Sequence, residues 1–498
     1  MRAPGEILLV ACYELGHQPL SIAWPAAFLE EAGYAPAVLD LSVEPLDAEK
    51  IRRARFIAVS VPMHTALRLG VAVAARIRAL NPTAHVCFYG HYAALNASEL
   101  LDTSADSVLA GEIEDQLIEL VRDVAAAASG GRGAAADSVG FDRRVPHAGL
   151  RQSVAGDRRS CHAESAAAPR LPGAAAAASR TVLEKLKFPV PARSALPVLK
   201  KYAHVERDGR QELAAYVEAS RGCKHMCRHC PIPPVYGGRF FVVPVETVLA
   251  DVRQQVQAGA SHVTFGDPDF LNGPRHALAV ARALHAELPA LTFDFTAKIE
   301  HLLRARGHLP ELAALGCAFI VSAAESLDDR VLGYLAKGHT RADLVTALGA
   351  ARAAGIALRP TWVAFTPWTT LEGYREWLDF LAAESLVDHV DPVQYGIRLL
   401  VPPGSLLLDL PEMGAHLGEK VAGGFHHRWR HPDPSVDRLA DEVAALVAAA
   451  AERNEDAALT FDRVRALAAA AAGAAPPPPL GLPADRRRPP RLTEPWFC

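Results

Sequence analysis

Eight residues, Cys223-Lys-His-Met-Cys227-Arg-His-Cys230, bring three thiols into one short loop at C-x3-C-x2-C spacing. The apolar run just before them, Ala214-Ala-Tyr-Val-Glu-Ala-Ser220, reads as a strand, so the thiols sit where the chain leaves a strand's C-terminal end. Such a loop can wrap three thiolates around one metal centre. The number is informative, because closed structural zinc sites and simple iron–sulfur clusters take four protein ligands. A [4Fe–4S] cluster held by three cysteines keeps one iron free for a substrate or cofactor. The competing reading is a zinc site completed by His225 or His229, although C-x3-C is not the usual zinc spacing.

The flanks of the loop carry a resemblance. Ala219-Ser-Arg-Gly-Cys-Lys-His-Met-Cys-Arg-His-Cys-Pro231 resembles the signature of radical S-adenosylmethionine (SAM) enzymes, and the following 170 or so residues resemble that family in order. The resemblance implies a cluster whose free iron binds SAM and whose electron cleaves it to methionine and a 5′-deoxyadenosyl radical. It also implies roles elsewhere. Gly266-Asp-Pro-Asp269 stands where the family has Gly-Gly-Glu, so Gly266, Asp267 and Asp269 become candidates to meet the SAM ammonium; otherwise the run is an ordinary turn. Ser322-Ala-Ala-Glu325-Ser326, followed by Lys337-Gly-His-Thr340, matches a stretch that faces the SAM ribose or carboxylate. Lys298, in Thr296-Ala-Lys-Ile-Glu300, would pair with a carboxylate of SAM or substrate, or else stand in solvent. Arg359 and Arg398 on late strands would suit bidentate carboxylate recognition.

The elements that must position these residues alternate in type, and the fold class is α/β. Ile7–Cys12, Ala37–Leu41, Phe56–Pro62, His85–Gly90 and Ser107–Gly111 read as strands with helical patterns between them, Leu20–Ala32 closing on Gly33. Five such units predict a doubly wound, flavodoxin- or Rossmann-like parallel sheet over residues 1–125, with ligands beyond the strand C-termini. This half resembles the cobalamin-binding domain that precedes the radical SAM core in one branch of the superfamily, Gly90-His-Tyr-Ala and Gly111-Glu-Ile-Glu-Asp115 falling at its glycine-rich loops. An Asp-x-His-x-x-Gly motif to ligate cobalt is not found, and Glu14-Leu-Gly-His17 has the right loop but not the pattern. Either cobalamin binds with no protein nitrogen on cobalt, or the domain serves packing alone.

Residues 126–200 read as a low-complexity insertion and linker, in which Cys161-His is incidental. Residues 201–405 form the core, with strands at His262–Gly266, Thr292–Lys298, Ala318–Glu325, Ala357–Phe365 and Pro392–Leu400. Six βα repeats fit the partial (β/α)6 TIM-type barrel of the resembled family, whose functional groups gather at strand C-termini. Residues 406–475 are a helical C-terminal region, with an Ala-rich pattern over Val436–Ala472, and 476–498 a Pro-rich tail. Phe365-Thr-Pro-Trp-Thr-Thr370, Leu400-Val-Pro-Pro-Gly-Ser405 and the Trp496-Phe-Cys498 end resemble a group of cobalamin-type radical SAM proteins named for a Cys-Sec-Ala-Glu-Pro or Cys-Cys-Ala-Glu-Pro tail. That likeness implies a reading frame continuing through UGA and a redox-active Cys498.

Composition narrows the classes. A formal charge of −4 and a pI near 6.6 carry no nucleic-acid footprint. No apolar run approaches the ~18 residues of a membrane span, and no signal peptide precedes Ile7. Eight cysteines, three clustered as ligands, fit a reducing cytoplasm, and Cys12, Cys87 and Cys317 read as buried small hydrophobes. The expectation is a cytoplasmic radical SAM enzyme with a [4Fe–4S] cluster, SAM and, if the N-terminal domain holds it, cobalamin for methyl transfer. Its partners would be a small-molecule or peptide substrate and a flavodoxin- or ferredoxin-type reductant. The alternatives are cobalamin-independent modification of a peptide or metabolite, and a metal-bearing scaffold without catalysis.

Overall fold

The computed structural model describes residues 1–129, 179–481 and 486–494. Cys161, most of the low-complexity insertion and Cys498 lie outside the described residues. Among those described, no helix is long and apolar enough to cross a membrane.

The first half is a six-stranded, all-parallel sheet in the order β2-β1-β3-β4-β5-β6. Its strands are β1 (Ile7–Ala11), β2 (Ala37–Asp40), β3 (Phe56–Ser60), β4 (His85–Tyr89), β5 (Ser107–Gly111) and β6 (Ser179–Val182). Continuous apolar runs such as Ile-Leu-Leu-Val-Ala are buried on both faces, as a parallel sheet covered by helices requires. Separate apolar clusters form on the two faces, and the strand order reverses between β1 and β3, the usual crevice position. β6 differs from expectation, since residues 179–182 fall in the segment read as linker. Ser-Arg-Thr-Val carries no alternation of its own; the open edge of β5 supplies its hydrogen bonds.

The second half is a curled seven-stranded sheet in the order β14-β13-β12-β11-β8-β7-β17. β7 (His204–Arg207) and β8 (Arg210–Val217) form a hairpin, and β9 (Ser220–Gly222) pairs with β10 (Phe240–Val242) around the cysteine loop. The parallel strands β11 (His262–Phe265), β12 (Thr292–Thr296), β13 (Cys317–Glu325) and β14 (Ala357–Trp362) continue from β8. Their helix-facing residues, including Phe265, Phe293, Phe295 and Ile320, belong to the largest apolar core.

The expected sixth strand over Pro392–Leu400 does not form. Residues Pro392–Gly396 are a 3-10 turn, and only a single parallel bridge, Phe365–Arg398, marks the place. Pro392 brings no N–H to a ladder, and the Trp362 N–H on β14 donates instead to the Gln394 side chain at 3.0 Å.

The C-terminal region covers both halves. A hairpin of β15 (Leu417–Lys420) and β16 (His427–Trp429) drives Phe425 into the core of the first domain. The Ala-rich pattern resolves into two helices, Pro434–Glu452 and Ala457–Ala471, parted at Asn454 (φ +49°) and restarted by an Asp456 cap. β17 (Arg491–Leu492), part of the expected Pro-rich tail, returns as an antiparallel edge strand on β7.

Candidate active site

The cysteine loop is held from all sides. Gly222 adopts φ +75°, and a Cβ there would stand 2.5 Å from the Arg239 carbonyl, so the turn into the loop requires glycine. Lys224 N–H donates to Asn272 Oδ1 at 3.1 Å, and Lys224 Nζ donates to the Asn272 carbonyl at 2.8 Å. Arg228 N–H donates to the Leu335 carbonyl, its guanidinium to Gly333 and Tyr334, and its own carbonyl accepts from Ser405. Cys223 and Cys227 are buried, and Cys230 is half-buried. Burial pushes the Cys223 thiol up and the Cys230 thiol up to about 12, and a bound cation would oppose that shift by favouring the thiolates.

Among the described residues, the one trio of His, Cys, Asp or Glu ligand atoms within 4.8 Å of one another is His225, Asp269 and His301, not the cysteines. The two loop imidazoles also face other partners: His225 Nε2 lies 3.1 Å from His301 Nε2, and His229 Nε2 lies 3.2 Å from Glu325 Oε1.

The two aspartates after β11 act on the loop itself. Asp267 accepts the Ala219 N–H at 2.9 Å and the Ser220 hydroxyl, fixing the approach to Cys223. Burial raises its carboxyl to about 7 against those bonds. Asp269 accepts Leu271 N–H, Lys298 N–H and His301 Nδ1–H, so His301 and then His225 are strung from it as a bonded chain. Burial first, then the Lys298 and His301 charges, hold His225 down at about 4, a neutral ring. Gly266 packs against Tyr216, leaving no room for a Cβ.

The remaining candidates sort by surroundings. Lys298 is buried, not solvated, with Nζ 3.5 Å from Glu300. Ser322 is fully buried and donates to the Ala297 carbonyl at 2.6 Å, a packing role. Ser326 accepts Asp328 N–H in a turn. Glu325 ends β13 at φ +66°, a strained position for a non-glycine residue, with Lys337 Nζ 3.3 Å away. Burial would raise its carboxyl, but Lys337 and His229 reverse that and hold it at about 2. Arg359 pairs with Asp391 at 3.2 Å, and Arg398 with Asp437 at 2.8 Å while lying over Trp429. Both late arginines thus bind carboxylates of their own chain.

A clasp to the first domain lies two residues before Cys223. Arg221 reaches Glu114 at 2.6 Å, Glu218 at 2.9 Å and Glu112 at 3.3 Å, and its guanidinium lies over Trp24 and Phe188. Tyr236 donates to Glu112 at 2.7 Å, and burial pushes Glu112 up to about 7 against the pull of Arg221. The Gly-Glu-Ile-Glu run at the end of β5 therefore grips the barrel's cysteine loop. His17, in the loop after β1, is bonded to Glu494 at 2.7 Å and stacked on Tyr216 at 4.3 Å. Arg221, His301 and Asn272 escaped the sequence reading; the Glu-x-Glu run facing a lone arginine beside the cysteines was the signal available for the first.

Residues 217–367 match the family model of the radical SAM superfamily. Among curated proteins, the ribosomal protein uS12 methylthiotransferase RimO of Porphyromonas gingivalis (strain W83) is 27% identical over 207 residues, 37% of this chain and 45% of that one. RimO of Desulfotalea psychrophila is 27% identical over 194 residues, 36% of this chain and 42% of its own. The chain thus spans under half the length of these relatives. Among solved structures, the cobalamin-dependent SAM radical enzyme OxsB, with aqua-cobalamin and SAM bound, superposes with TM-score 0.62 at 15% identity, covering 88% of this chain and 65% of that chain. The radical SAM methyltransferase TsrM from Kitasatospora setae, with tryptophan substrate and a SAM analogue, gives 0.56 at 16%, covering 84% and 79%. At these identities the likeness is one of fold.

Proposed function

We propose that this chain, whose residues 217–367 match the radical SAM family model, is a radical SAM enzyme that cleaves SAM reductively at a [4Fe–4S] cluster held by Cys223, Cys227 and Cys230. The observation that carries this reading is the three-cysteine loop, which leaves the strand Ser220–Gly222 with Cys223 and Cys227 buried and Cys230 half-buried. A cluster there supplies the electron for SAM cleavage, and a corrinoid in the first domain would supply a methyl group for transfer to an unactivated carbon. The chain's own residues supply position and charge. Asp267 and Asp269 hold the loop; Lys298 and the Lys337–Glu325 pair set buried charges beside it for the ends of SAM or a substrate carboxylate. By the family likeness, the main-chain carbonyls of Gly266 and Asp267 would accept from the SAM ammonium.

The sheet order of the first domain, with its crevice between β1 and β3, supports a cobalamin-binding type. His17 is already engaged by Glu494 and Tyr216, so cobalamin would be held with no imidazole from that loop on cobalt. Substrate and reductant follow as a small molecule or peptide and a flavodoxin- or ferredoxin-type donor. Anaerobic reconstitution tests the reading: about four irons per chain with a charge-transfer band supports it, and zinc alone returns the chain to a scaffold. Corrinoid retained by the full chain, with a spectrum unchanged in His17→Ala, separates the cobalamin-dependent reading from the cobalamin-independent one.

A further inference from the structure

We propose that the Asn272 side-chain amide donates a hydrogen bond to a sulfur of the cluster bound at Cys223, Cys227 and Cys230, raising that cluster's reduction potential. The inference rests on the cluster reading above. Asn272 ends the 3-10 turn Phe270–Asn272 after β11 and is 2% exposed. Its Oδ1 accepts the Lys224 N–H at 3.1 Å and stands 3.8 Å from Cys223 Sγ. A main-chain N–H can only face the oxygen of that amide, so the orientation of the side chain is determined. Lys224 secures it again, through Nζ to the Asn272 carbonyl at 2.8 Å and over the Phe240 ring at 4.5 Å.

That arrangement leaves Nδ2 buried and, among the described residues, without a hydrogen-bond partner. A buried amide donor left unpaired is costly, and native structures tolerate few. A ligand bound at the neighbouring cysteines would bring it an acceptor. Its sister atom already faces Cys223, and the acceptors a loaded loop brings there are thiolate and sulfide sulfurs. Hydrogen bonds to those sulfurs favour the reduced, more negative cluster, which is how a protein sets such a potential.

The test uses the reconstituted full-length protein without SAM. The other asparagines are Asn81, Asn96 and Asn454, in the first domain and between the C-terminal helices. Selective 15N labelling of asparagine side-chain amides therefore reports on Asn272 alone. Pulsed EPR of the reduced cluster is expected to show a 15N coupling that disappears in Asn272→Leu, a neutral replacement of similar size. The same variant is expected to be at least tenfold harder to reduce, a midpoint lower by about 59 mV for one electron. An absent 15N coupling, a coupling that appears only once SAM is added, or an unchanged midpoint overturns the proposal. Should Asn272→Leu fail to load, the wild-type spectrum decides by itself. Wild-type protein that takes up no iron refutes the cluster reading instead.

Discussion

At the scale of single residues, the site is built from charges and donors that serve the loop before they serve any ligand. Ala replacement of Cys223, Cys227 or Cys230 is expected to abolish iron loading and 5′-deoxyadenosine formation, whereas Cys161→Ala leaves both intact; Cys227→Ala that still cleaved SAM at the parent rate would contradict this. Asp267 and Asp269 were candidates for the SAM ammonium, yet each already binds donors of its own chain. Asp267→Ala would orphan the Ala219 N–H and cost roughly 1.5–3 kcal/mol of apo-protein stability, read by urea unfolding. Stability equal to wild type would free that carboxylate for SAM alone. Glu325 gives a pH signature. Its pKa is depressed from the ordinary 4.5 to about 2, so its contribution is present above pH 4.5 and lost as pH falls toward 2. Glu325→Gln is expected to flatten that part of the stability–pH curve, and parallel curves for the two proteins would show the pair contributes nothing.

At the scale of elements, the junction between the end of β5 and the cysteine loop ties the two domains together. Arg221 is clamped by three carboxylates from two domains and lies against two aromatic rings, Trp24 and Phe188. Removing one partner from such a buried network typically costs about 3–5 kcal/mol, because the others are left as uncompensated charges. Arg221→Ala is therefore expected to destabilise the protein by that order and to weaken iron retention by the adjacent cysteines. Iron content and unfolding midpoint measured together check it; full iron retention would show that the clasp does not support the loop. The missing sixth strand belongs to this scale too. A pattern of Val393, Tyr395, Ile397 and Leu399 alternates like a strand, but Pro392 and the Gln394 side chain break the ladder it would need.

At the scale of the whole molecule, the chain's last described residues close the open side of the curled sheet. β17 pairs with β7; Leu492 packs with Phe319 and Val205, and Arg491 pairs with Glu206. Glu494 then reaches across to His17 of the first domain. Truncation before Arg486 is expected to speed amide hydrogen exchange at His204–Arg207 well beyond that of β8, because the outer edge of β7 would face water. Exchange unchanged along β7 would mean the tail contributes no protection there.

Local pattern alone determined the α/β alternation, the doubly wound first domain and the three clustered cysteines, while the barrel type came from the family resemblance. The first three are written in short-range signals: apolar runs of strand length, glycine stops, and thiols confined to eight residues. Only the tertiary structure decided the partners of Arg221, the Asp269–His301–His225 chain, the orphaned amide of Asn272, and the return of residues 491–494. Apart from Arg221–Glu218, those contacts join residues 32 to 477 positions apart, or turn on which atom of one amide a main-chain N–H selects. Such pairings carry no periodicity, because burial and the competition for donors and acceptors arise only once the two sheets are brought together.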